Sequence, residues 1–203
     1  MRRLLLALAV LLALPAAASG FDPAEAPSDE DTLADMRDSA VGRPLAAALD
    51  ACGVRVVRHA MPKGLGGLFL EARRTIILTT SAERADVRLI LAHEATHATR
   101  ACAGRVPPPP AEPEARPAWI EAMLDEEAEA LLTEAEMAVE LAEKGIDGIA
   151  GAIARRPFIA PLFAMLRQGS SRDEAWATVR HVIGHGTYRT YYEGLFNLSM
   201  ATQ

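Results

Sequence analysis

Leu89-Ile90-Leu91-Ala92-His93-Glu94-Ala95-Thr96-His97-Ala98 carries two histidines and one glutamate in a run that is otherwise free of charge. Thr80-Ser81-Ala82-Glu83 upstream has the form of a capping box, a hydroxyl and a glutamate three residues apart ahead of an apolar-periodic stretch. The spacing predicts a helix from there to about Cys102, where Gly104 can end it. On that helix His93 and His97 share a face, so both imidazoles can reach one metal ion. Glu94 stands beside them and can take a proton from a water whose pKa a zinc ion has lowered, the general-base task in metal-assisted hydrolysis. The uncharged flanks, Ile90 to Ala92, Ala95, Thr96 and Ala98, suit a helix buried beneath a cleft.

A catalytic zinc takes three protein ligands and leaves a position for water, so the third ligand must come from elsewhere. The acidic stretch after Pro117 offers Glu121, Asp125, Glu126, Glu127, Glu129, Glu134, Glu136 and Glu140. At about 100° per residue, Ile120, Leu124, Ala128, Leu131, Ala135 and Ala138 form one apolar stripe. Glu127 falls inside it and Glu134 lies at its margin, whereas Asp125, Glu126 and Glu129 point away and read as a solvated face. A carboxylate on a core-facing position is costly unless paired or metal-bound. Glu127 is therefore the expected third ligand, with Glu134 and Asp125 as alternatives, and an ion pair between Glu127 and Arg100 as the non-metal alternative.

Before the histidine helix the period changes. A helical pattern over Asp31 to Ala51, interrupted near Gly42-Arg43-Pro44, gives way after Gly53 to three strand-like runs: Val54 to Val57, Leu68 to Leu70 and Thr75 to Thr79. Ala72-Arg73-Arg74 is the expected hairpin tip. Pro107 to Pro110, Pro113 and Pro117 forbid helix and make an extended connector. Beyond it lie helical segments at Ala118 to Lys144, Asp147 to Arg155, Ile159 to Arg167, Ser171 to Ile183 and Thr187 to Met200, with a second capping box at Ser171-Arg172-Asp173-Glu174. The expected class is α+β, a small three-stranded sheet preceding an active-site helix and followed by a mostly helical C-terminal half.

The 203-residue chain opens with Met1-Arg2-Arg3, an apolar run from Leu4 to Leu14, and Ala16-Ala17-Ala18, which reads as a signal peptide over residues 1–18. The apolar run is well short of the roughly 20 residues that span a bilayer. Residues 19–203 are then expected to form one domain, periplasmic or secreted, with no membrane span. Without Arg2 and Arg3 the formal net charge of −6 becomes more negative still, which argues against nucleic acid and anionic membrane surfaces as partners. In an oxidising compartment the two cysteines, Cys52 and Cys102, are expected to pair.

The succession of small sheet, His-Glu-x-x-His helix and downstream glutamate resembles the gluzincin class of zinc metallopeptidases, over roughly Val54 to Glu140. Glu127-Ala128-Glu129-Ala130 is similar to a pattern that follows the zinc helix in some uncharacterised bacterial metallopeptidase-like domains. The resemblance implies a zincin-like fold and a zinc hydrolase acting on peptides or proteins, with His93, His97 and Glu127 as ligands and Glu94 as base. It departs at Leu131, where many gluzincins place an acid that orients a histidine. Tyr188, or its neighbours Tyr191 and Tyr192, is a candidate donor to a transition-state oxyanion. His181 and His185, a second i, i+4 pair split by Gly184, lack an intervening base and read as core or surface histidines. A di-iron bundle fails because no second Glu-x-x-His exists. The remaining rival is a non-catalytic periplasmic protein, either a metal carrier or a degenerate peptidase that binds a partner.

Overall fold

The computed structural model describes residues 28–201, so the expected signal peptide lies outside the described residues. The architecture is α+β and mostly helical, with one three-stranded mixed sheet. Asp29 caps helix α1 (Glu30–Arg37) by accepting from the Thr32 amide. Helix α2 (Gly42–Cys52) follows the break expected near Gly42 and ends on Gly53, which takes the left-handed conformation at φ 64°.

Strand β1 (Arg55–His59) pairs in parallel with β3 (Thr75–Thr79), and β2 (Gly67–Leu70) pairs antiparallel with β3, giving the order β1-β3-β2. All five residues of β3 are buried, as a central strand covered on both faces requires. The β2–β3 connection is a 3-10 turn at Glu71–Arg73 followed by Arg74 in the left-handed region, at the expected hairpin tip.

Helix α3 (Arg84–Cys102) carries the histidines. It begins later than the capping box at Thr80 predicts. The Thr79 hydroxyl bonds the Ser81 hydroxyl, Glu83 becomes the N-cap residue without a side-chain cap bond, and its carboxylate pairs with Arg155. Glu83 itself takes the N-cap position, so the box does not form. After the proline connector, helix α4 (Arg116–Glu143) runs for 28 residues, followed by α5 (Ile149–Ala154), α6 (Ile159–Arg167), α7 (Arg172–Gly184) and α8 (Thr187–Ala201). The capping box predicted at Ser171 does form, with both of its hydrogen bonds. None of these helices is long and apolar enough to cross a membrane.

Helix α4 belongs to two cores. Its last turns, through Met137, Ala138 and Leu141, pack with α1, α2, the sheet, α3 and α5. Its first turns, through Ile120, Leu124, Ala128 and Leu131, pack with α6, α7 and α8. Cys52 and Cys102 form a disulfide that ties the end of α2 to the end of α3. At a sequence separation of 50, the chain-entropy account gives about 4 kcal/mol of stabilisation. A disulfide of this kind suits an oxidising compartment, consistent with the expected periplasmic or secreted location.

Near the C-terminal end of α4, Glu140 clamps the α1–α2 connection. Its carboxylate accepts from the Ala40 and Val41 amides and the Ser39 hydroxyl, and pairs with Lys144. Burial alone would raise this carboxyl, but those donors outweigh it and hold it at about 2, against an ordinary 4.5. A depressed carboxylate stabilises the fold fully above its unfolded value and loses that contribution as pH falls through the folded one, so the loss runs from about 4.5 down to about 2. Glu140→Gln is expected to cost about 3 kcal/mol at neutral pH and to flatten the stability profile in that window, read by urea melts between pH 2 and 7.

Candidate metal centre

Helices α3 and α4 lie side by side, and the residues between them build the site from both. His93 and His97 project from one face of α3 with their Nε2 atoms 3.1 Å apart and their rings edge-on. Glu127 comes across from α4, with Oε2 3.6 Å from His93 Nε2 and Oε1 3.8 Å from His97 Nε2. One ligand atom from each of His93, His97 and Glu127 lies within 4.8 Å of the others, so the three could hold a single metal ion. Glu127 Oε2 is buried and has no hydrogen-bond partner among the described residues. A buried carboxylate oxygen left unbonded and facing two imidazoles is costly on its own, and a cation there would satisfy it.

The Nδ1 atoms of both histidines turn the other way, toward further carboxylates of α4. His97 Nδ1 meets Glu126 Oε1 at 3.3 Å, and Arg100 Nε donates to Glu126 Oε2. His93 Nδ1 stands 3.3 Å from Glu134 Oε2, and Arg156 Nε stands 3.1 Å from Glu134 Oε1; these are ion pairs rather than well-aligned hydrogen bonds. Each imidazole thus presents Nε2 to the shared point and Nδ1 to a buried glutamate that an arginine backs. Carboxylates in this position fix the ring and raise its basicity as a ligand. Burial would raise Glu126, but the bonds from His97 and Arg100 outweigh it and lower its pKa, keeping it ionised.

The expectation that Glu126 lies on a solvated face is therefore corrected: it is 2 % exposed. Glu134 is 3 % exposed and sits behind His93, at Nδ1 rather than Nε2. Asp125 is exposed and pairs with Arg180, away from the histidines. Arg100, the alternative partner for Glu127, pairs with Glu126 instead.

Glu94 lines the same cavity, of about 630 Å³, as His93, His97 and Glu127. Strand β2 closes over it. A Cβ at Gly67 would come within 2.5 Å of Ile90 and 2.8 Å of Glu94, and one at Gly66 within 2.8 Å of Ile90, so glycine is what lets the strand approach the helix this closely. The Phe69 amide donates to the Glu94 carboxylate. Burial raises Glu94 above the ordinary carboxylate range against the pull of both histidines, which is the direction a general base near neutral pH needs.

Helix α8 supplies the facing wall. Tyr188, Tyr191 and Tyr192 all line the cavity. Burial, then the neighbouring carboxylates, push Tyr188 and Tyr192 well above 10 and Tyr191 up to about 12, so all three remain O–H donors. Tyr188 packs edge-on against Phe158. Tyr192, expected only as an alternative to Tyr188, donates its hydroxyl to Glu127 Oε1. His181 and His185 are exposed and stack on one another at the α7–α8 junction, away from the cavity lining.

Comparison of the chain with protein-family models, with curated proteins and with solved structures found no match. The carboxylates of Glu94, Glu126, Glu127 and Glu134 outnumber the arginines that pair with them, Arg100 and Arg156, the latter shared with Asp86, so an excess of negative charge faces the shared point and a cation there would offset it. Without the cation the cluster draws in a proton: burial would lower His93, but Glu134, Glu127 and Glu94 outweigh it and raise it to about 9. Metal binding at neutral pH must then displace that proton, and affinity must fall as pH drops. Calorimetry in buffers of differing ionisation enthalpy is expected to show release of about one proton per bound ion at pH 7. His93→Ala is expected to abolish stoichiometric binding.

Proposed function

We propose that this chain is a zinc-dependent hydrolase of the gluzincin type that cleaves peptide bonds. The observation that carries the reading is the position of Glu94: next in sequence to His93, in the same cavity as the two imidazoles and Glu127, and with no arginine or lysine paired to it among the described residues. A site built only to hold a metal has no use for a fourth carboxylate in that place. Two imidazoles and one carboxylate are a donor set that suits zinc and leaves a coordination position open.

When bound, zinc supplies Lewis acidity, activating water and polarising a carbonyl. The remaining work falls to the chain's own groups. Glu94 accepts the proton from the attacking water and returns it to the leaving amine. Tyr188, kept protonated by burial, is the candidate O–H donor to the substrate oxyanion. Glu126 and Glu134 hold the two imidazoles in register through Nδ1.

The peptide assignment rests on the sheet edge. Of the two segments that could receive an extended substrate, Ile76 to Thr79 lies in the central strand β3 and is already paired on both sides. Leu68 to Glu71 begins in β2, which is an edge strand among the described residues and whose residues line the cavity. The Thr79 amide bonds the Gly66 carbonyl across the β2–β3 pair, so in the alternating antiparallel pattern Gly67 and Phe69 turn their main-chain groups outward. The Phe69 amide goes to Glu94, which leaves the Phe69 carbonyl and the Gly67 groups for strand addition by a peptide.

Glu94→Gln is expected to retain one zinc per chain and to lose at least about 100-fold in hydrolysis of a peptide library, the scale of general-base catalysis. Equal cleavage by wild type and variant would sink the hydrolase reading, and intact metal binding with no cleavage by either would favour a metal carrier.

A further inference from the structure

We propose that Tyr192 is a positioning residue that restricts Glu127 to one ligating oxygen, keeping a coordination position free for water; the inference rests on the metal-site reading above. The two oxygens of Glu127 are in different circumstances. Oε1 accepts the Tyr192 hydroxyl, whereas Oε2 is buried, without a hydrogen bond, and 3.6 Å from His93 Nε2. A carboxylate free of such a bond can bring both oxygens to a small cation, filling the site with two imidazoles and a chelating carboxylate. The O–H bond to Oε1 draws on that oxygen's charge and fixes the rotation of the carboxylate, so the second contact to a cation is weakened while the Oε2 contact is kept.

Tyr192 is held firmly enough to exert this control. It is 4 % exposed, packs edge-on against Trp119 at 6.0 Å and against Tyr191 at 5.0 Å, and sits one helical turn before Phe196, which also packs on Trp119. Trp119 is itself anchored by its indole N–H, which donates to the Pro107 carbonyl. A chain of contacts thus runs from the proline connector through the first turn of α4 and into α8, and ends on the third ligand. Glu126 and Glu134 orient the imidazoles; Tyr192 does the corresponding work for the carboxylate, and all three ligands have a buried partner.

The test is Tyr192→Phe in the full protein, loaded with zinc for affinity and with cobalt for the visible spectrum, which reports coordination number. Tyr192→Phe is expected to weaken zinc binding by about 10- to 100-fold. Its cobalt spectrum is expected to shift to the weaker bands of higher coordination as Glu127 Oε1 joins the metal. Phe196→Leu, which loosens the same packing without touching the ligand, is expected to lower the melting temperature and leave the cobalt spectrum as in wild type. A wild-type spectrum in Tyr192→Phe, or the same shift in Phe196→Leu, would overturn the assignment. Zinc-edge X-ray absorption of the wild type needs no variant and covers the case in which Tyr192→Phe does not fold: a close carboxyl-carbon shell, the mark of a chelating carboxylate, would also overturn it. A wild type that binds neither metal would instead remove the site reading on which the inference stands.

Discussion

Three glutamates of one helix, Glu126, Glu127 and Glu134, are buried against the histidines of another, and the rest of the structure answers to that constraint. An ionised carboxylate placed in a protein interior is tolerated only with compensation, and breaking a buried pair by removing one partner costs several kcal/mol. Compensation comes in two layers here. Arg100 and Arg156 neutralise the two glutamates farther from the shared point, and the imidazoles face Glu127 at the centre. The arginines are fixed in turn: Arg100 stands one turn after Thr96 on α3, and Arg156 also reaches Asp86 in the first turn of that helix. The ion-pair network therefore links both ends of α3 to α4 and to the segment that follows α5.

The placement of α4 makes this network possible. A helix at the surface of one core buries a single stripe and can shelter few charges. Helix α4 passes from one core to the other, and in the middle of its length nearly the whole circumference is enclosed, Ala130 to Ala135 being buried without interruption. Glutamates on headings about 100° apart, Glu126 on one and Glu127 with Glu134 on the other, can then be internal together. The same enclosure explains the tyrosine wall, because α8 packs on the first turns of α4 and brings Tyr192 over Glu127.

That enclosure also marks the limit of what could be read in the sequence. The strands, the breaks at Gly42 and Gly53 and the later helices followed from periodicity and from glycine and proline, because those signals act within a few residues. The histidine pair and Glu94 were legible for the same reason. Glu126 was not. The helical wheel assumed one buried stripe, and on that assumption Glu126 points outward; nothing within α4 announces that a second core will cover the other side. A signal for Tyr192 did exist, since Tyr188, Tyr192 and Phe196 recur at i, i+4 and mark the inward face of α8. Which of the three would meet Glu127 depends on how α8 crosses α4, which no local pattern fixes. The capping box at Thr80 failed for a related reason: its glutamate had another partner, Arg155, that only the folded chain brings near.

Glu94 differs from the other acids of the cluster in what holds it. The remaining three are restrained by side chains that carry charge or a phenolic hydroxyl, whereas Glu94 is restrained by a main-chain amide of β2 and by the closeness of Gly67. A partner arginine would pin the carboxylate in its ionised form and lower its proton affinity. An amide bond orients the group while costing it little basicity, and burial then works in the opposite direction to raise it. The two glycines serve this purpose: a side chain at Gly67 would push the strand off the helix, lengthen the Phe69 bond and admit water around Glu94. On the proposed reading, the strand edge that would receive a peptide and the carboxylate that would take a proton are set by the same close approach, so that occupancy of the edge would itself complete the burial of Glu94.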